Sequence, residues 1–171
     1  MIRLRNMWVG SFIAILLCSM NPVKAQSNPV ELVKLFGSTL QSWCETKDFA
    51  YREKIKTLCS ENFRVENKML TEYMTKKGLT GYETFMLISY LGMYKELIDN
   101  GIDYQMYNVE LEHSDMKPDG QLSFVTADVE VSGTVNKIET NLFLVRGDKI
   151  VGIYSYSSKL GFPHLNNTKD K

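Results

Sequence analysis

The sequence predicts an α+β domain, with N-terminal helices packed on a curved, mainly antiparallel sheet of four to five strands. Three observations carry this. Apolar residues recur at three- and four-residue spacing as far as Asp99. The period then falls to two: Val125, Ala127, Val129 and Val131 alternate with Thr126, Asp128 and Glu130. Helices come first and strands follow without interleaving, the order of an α+β chain rather than a βαβ one.

Each element has a local reason. Asn28-Pro29-Val30-Glu31 opens the first helix: Asn28 caps, Pro29 fits the first turn and Glu31 completes a capping box. Val30, Val33, Phe36, Leu40, Trp43 and Cys44 then form one apolar stripe ending near Thr46. Asp48 caps a shorter helix through Leu58, with Phe49, Ile55 and Leu58 as its core contacts. Residues 62–66 alternate as a short strand. A third helix spans about 68–77, and Gly78 suits its left-handed stop. Thr80-Gly81-Tyr82-Glu83 is a second capping box, opening an apolar helix over 82–99. Strands are expected at 104–113, 122–132, 138–146 and 149–157, with turns at Pro118-Asp119-Gly120 and Gly147-Asp148.

Residues 1–25 read as a secretory signal peptide. Arg3 and Arg5 form the basic start, residues 8–17 the apolar run, and Val23-Lys24-Ala25 the cleavage site. The run is short for a membrane span of about 20 residues. Leu17 before Cys18 is a poor lipoprotein signal. Residues 26–160 then form one domain, and 161–171 a loose tail. The whole chain of 171 residues has 20 basic and 20 acidic side chains. Removal of the leader takes Arg3, Arg5 and Lys24 and no acid, leaving 146 residues, 17 bases, 20 acids and a formal charge of −3. That balance excludes a basic nucleic-acid binder. Export implies a periplasmic or secreted protein.

Cys44 and Cys59 remain after cleavage, and an oxidising compartment would allow a disulfide between them; two separate buried thiols are the other reading. With only His113 and His164 beside them they make a poor zinc set, so no metal is expected. No phosphate loop, dinucleotide fingerprint or nucleophile elbow occurs, so no cofactor is expected.

Two stretches carry a family resemblance. One is the short helix ending in Ile55-x-x-Leu58 and running into Asn62-Phe63-Arg64-Val65. The other is the terminal hairpin from Asn141 to Ile153. With the element order, they make the chain resemble the nuclear transport factor 2-like superfamily, which includes ketosteroid isomerase and SnoaL-like polyketide cyclases. The resemblance implies a cone with a cavity between helices and concave sheet. In enzymes of that family, a carboxylate, histidine or tyrosine there does acid–base work on a small hydrophobic substrate. No family catalytic motif matches this chain, so no catalytic residue carries over.

From the residues themselves, His113 is the weak catalytic candidate, being in phase with Tyr107, Val109 and Leu111. The plainer reading is a partly exposed histidine beside the following turn. Asp128 reads as solvent-facing. The 82–99 helix is apolar around most of its girth, which fits a core helix first. Tyr90 and Tyr94, with Met86 and Met93, are its candidate ligand-binding residues. The sequence therefore points to a small exported, non-catalytic binding or interaction domain. Its partner would be a small hydrophobic ligand or a protein, including a second copy of itself. A SnoaL-like or ketosteroid-isomerase-like enzyme is the alternative. A cavity with His113 or a carboxylate turned inward would favour the enzyme. A filled core under an aromatic outer sheet face would favour the interaction domain.

Overall fold

The computed structural model describes residues 28–66, 68–78 and 86–156. The leader, the capping box at 80–83, His164 and the tail lie outside the described residues.

Helix α1 (Pro29–Thr46) starts as its sequence requires: the Asn28 side chain accepts from the Val30 amide at 3.0 Å. Glu31 pairs with Lys34 one turn on, at 3.0 Å. Lys47 closes the helix in the left-handed region, with φ 58°. Asp48 caps helix α2 (Phe49–Leu58) by accepting from Ala50. Phe49, expected in the core, is instead 49% exposed under the Arg52 guanidinium, 4.8 Å from its ring centre. It lies about two and a half turns from Leu58 and so points to the opposite side of the helix. Strand β1 (Cys59–Glu66) follows directly. Helix α3 (Lys68–Lys76) stops before Gly78, whose φ is 67°. Helix α4 (Met86–Asp99) and strands β2 (Asp103–Lys117), β3 (Gly120–Ser132), β4 (Lys137–Arg146) and β5 (Lys149–Tyr156) complete the described chain.

The five strands lie in the order β1-β5-β4-β3-β2, with β1 parallel to β5 and every other pair antiparallel. This is the helix-covered, mainly antiparallel sheet that the sequence predicts. Val125, Ala127, Val129, Phe143, Val145, Ile150 and Ile153 point inward from the sheet. Phe36, Leu40 and Trp43 of α1, and Tyr90, Leu91 and Tyr94 of α4, meet them in one core. Burial of this apolar surface, at about 25 cal/mol per Å2, is the main stabilising term.

Two glycines mark where backbones approach closely. A Cβ on Gly37 of α1 would sit 2.6 Å from the Met106 sulfur, so the missing side chain lets α1 settle onto β2. Gly133, at φ 113°, starts the β3–β4 turn. A Cβ there would lie 2.6 Å from the Gly101 carbonyl oxygen.

Strand β2 is longer than its alternation suggests. Its register against β3 shifts between Tyr107 and Glu110, and again between Leu111 and His113. Asn108 sits at the first irregularity with φ 50°, a conformation asparagine tolerates. Its amide reaches across to Asp128 at 2.9 Å, and Thr140 donates to the other Asp128 oxygen at 2.7 Å. Asp128 thus holds three strands together on the outer face, the face on which its alternation places it.

Candidate functional site

The space between helices and sheet is occupied by aromatic rings. Tyr90 packs at 5.8 Å from Phe63 and 6.5 Å from Phe36, and Phe36 meets Phe143 edge-on at 5.8 Å. Tyr90 and Tyr94 lie 4.9 Å apart and share a hydrogen bond, and Tyr104 stands edge-on to Tyr94 at 5.9 Å. Tyr90 and Tyr94 fall together because four residues make about one helical turn; Tyr104 joins them as the inward residue near the start of β2. Burial pushes all three phenols up from their usual value, and mutual proximity raises Tyr90 and Tyr104 further. These groups keep their protons through the neutral range. They can donate hydrogen bonds but cannot act as bases there.

Both candidate methionines belong to the core, and Met93 also lines a groove of about 300 Å3 between α3 and α4, with Met69, Tyr73, Leu97 and Val135. A second cavity, about 250 Å3, lies at the start of α1 beside Leu111, Ser114 and Ser123. Neither is lined by Tyr90, Tyr94 or His113.

His113 does not face the core. The second register shift moves it off the phase of Leu111, and it pairs with Phe124 on the outer face. The two rings stack at 4.2 Å with 10° between their planes. The candidate catalytic role therefore has no support from its surroundings.

Sequence reading missed Glu139. Its register partner is Val129, an inward residue, so the carboxylate lies on the concave face, where it raises the Tyr94 and Tyr104 phenols and pairs with Lys137 at 2.5 Å. Asn141, 5% exposed, follows on the same face opposite Ala127. Its Oδ1 and the Oγ of Ser155, its register partner in β5, are buried without hydrogen-bond partners among the described residues. The signal was present: counting back by twos from Val145 and Phe143 reaches Asn141 and Glu139. Apolar residues on both faces of 142–145 hide that phase.

Of the two readings open for Cys44 and Cys59, a disulfide or two separate buried thiols, the structure has the free, buried thiols. Cys44 lies near Asp103, at the start of β2, while Cys59 begins β1 at the opposite edge of the sheet. Burial pushes each thiol up to about 12. No group of three or more His, Cys, Asp or Glu side chains that could hold a metal occurs among the described residues.

Among the described residues, no helix lies on the outer sheet face. Leu122, Phe124, Leu142, Leu144 and Tyr154 form its centre by register. Leu142 is buried there yet stands outside the core cluster, and Ile138 is 69% exposed. Glu110, Glu112, Asp128 and Glu130 lie toward the β2 edge, Arg64 and Glu66 lie on β1 at the other edge, and Arg146, on the central strand, pairs with Asp119.

No protein-family model and no curated protein matches the chain. Solved structures similar to it include an NTF2-like protein of unknown function from Exiguobacterium sp., at 7% identity and TM-score 0.48, covering 75% of this chain and 99% of that one. A proposed polyketide cyclase from Xanthomonas campestris pv. campestris is similar at 8% identity and TM-score 0.44, over 75% and 89% of the two chains. A proposed scytalone dehydratase from Novosphingobium aromaticivorans is similar at 12% identity and TM-score 0.41, over 75% and 87%.

Proposed function

We propose that the chain is an exported, non-catalytic interaction domain that pairs with a second copy through the outer face of its sheet. One observation carries the reading. β4 is the central strand, and its residues 142–145 are apolar on both faces. A strand open to water on one side alternates; a strand covered on both sides does not. Among the described residues, helices cover only the inner face. Five strands at about 4.8 Å spacing, each about ten residues long, present roughly 800 Å2, the area each partner gives to a standard interface. A two-fold axis along β4 lays the β2 edge of one copy over the β1 edge of the other.

Light scattering on the purified domain is expected to give the mass of two chains. Ile138→Arg combined with Leu144→Arg should leave far-ultraviolet circular dichroism unchanged and weaken pairing roughly 100-fold or more, because buried charges would face apolar surface. A wild-type domain that is monomeric at micromolar concentration overturns the reading. Export has its own check: the intact mass of protein recovered outside the cytoplasm should correspond to a chain beginning at Gln26.

The enzyme alternative draws on a different observation, Glu139 beside Tyr94 and Tyr104 on the concave face. It ranks second because Tyr90, Tyr94 and Tyr104 pack ring against ring there.

A further inference from the structure

The α3–α4 groove is a surface separate from the outer sheet face. We infer that it binds a small, uncharged ring-bearing molecule with a hydroxyl group. The groove's volume, about 300 Å3, stands at the small end of the range for ligand sites. It therefore has room for a molecule of about one or two fused rings.

Its floor is apolar and built from both helices. Met69 and Tyr73 stand one turn apart on α3, and Met93 and Leu97 one turn apart on α4. Val135, from the β3–β4 turn, closes one side. Thioethers are polarisable and make favourable contacts with the edges of aromatic rings. Tyr73 is a fixed wall. It lies against Gly92, where a Cβ would come 3.2 Å from the phenol oxygen. Its hydroxyl donates to Glu96 at 3.4 Å, and the Lys77 ammonium lies 5.7 Å from its ring centre.

Charge at the rim decides the ligand class. Lys77 and Glu96 are bonded to each other at 2.7 Å. Among the described residues Glu72 and Lys76 are the other two ionic side chains lining the groove, so with Lys77 bonded to Glu96 the four balance. A charged ligand would lose hydration against apolar walls without gaining a net counter-charge; a neutral one loses little. Asn100 supplies the polar contact at the end of the groove. Its amide nitrogen is used on the Glu96 carbonyl at 2.7 Å, and its amide oxygen is the acceptor for a hydroxyl.

The test uses the purified domain with 13C-methyl-labelled methionine and 2-naphthol as the probe. Saturable shifts are expected at the Met69 and Met93 methyls, and none at Met106 or Met116. 2-Naphthalenesulfonate, similar in shape but anionic, should bind at least tenfold more weakly. Val135→Glu, a substitution in a turn, should weaken 2-naphthol at least tenfold while leaving circular dichroism unchanged. The outer-face double variant should bind as wild type. Absence of saturable shifts at Met69 and Met93 overturns the site. Equal binding of the sulfonate overturns the ligand class. Unchanged affinity in Val135→Glu overturns the location.

Discussion

Raising the pH from about 9 to about 11 is expected to unfold the domain in one cooperative step. Tyr90, Tyr94 and Tyr104 have phenols raised from the ordinary value of 10.0, and Cys44 and Cys59 have thiols raised from 9.0 to about 12, in each case chiefly by burial. Each group holds its proton more tightly folded than unfolded. The stability this represents is intact below the unfolded-state value. It is lost as the pH climbs from there toward the folded-state value, because the unfolded chain releases protons that the folded chain retains. Every such proton shifts the folding equilibrium about tenfold per pH unit, and here five act together. Circular dichroism and phenolate absorbance, followed together, should change at one midpoint. Tyr104→Phe removes one of the five protons and should make the alkaline loss less steep. If the absorbance of all the tyrosines rises while the ellipticity stays native, the three phenols are not buried as described.

Phe36→Ala is expected to cost about 3–5 kcal/mol, the usual penalty for emptying a fully buried aromatic site. Phe36 has no exposed surface and touches both Tyr90 on α4 and Phe143 on β4. Its removal leaves a gap at the centre of the ring column, where helix and sheet are held rigid by one another. For a domain of this size that corresponds to a fall in melting temperature of roughly 10 °C or more. Phe49→Ala is the matched control. Phe49 is exposed, and its loss should stay within about 0.5 kcal/mol. Similar melting temperatures for the two variants would contradict the ring column as the source of stability.

Local chemistry made most of the fold legible. Asn28 and Asp48 announce helix starts because a short polar side chain before an apolar repeat has free amides to satisfy. Gly78 and Gly147-Asp148 announce stops and turns, since few residues tolerate the backbone there. The 125–131 alternation is readable because one face of β3 is apolar and the other polar. Phe49 was misplaced for an equally local reason, helical phase near a helix start.

The site was much less legible. Alternation counted straight through β2 offered an inward His113 beside the plainer, partly exposed reading, and the register shifts around Asn108 and before His113, which put it opposite Phe124, come from how β2 pairs with β3. Tyr90 and Tyr94 could be paired from spacing alone, but Tyr104, Phe36, Phe63 and Phe143 join them only through contacts between distant segments. Met93, in the same core, also reaches the α3–α4 groove because α3 packs on α4. Cys44 and Cys59 are close in sequence yet are directed to opposite edges of the sheet. By itself, then, the sequence determined the elements, their order and the α+β class, because caps, turns and periodicity act over a few residues. Only the tertiary structure decided which face each strand shows, what fills the cone and which surfaces stay open. Those outcomes depend on register and packing, which no short stretch of chain contains.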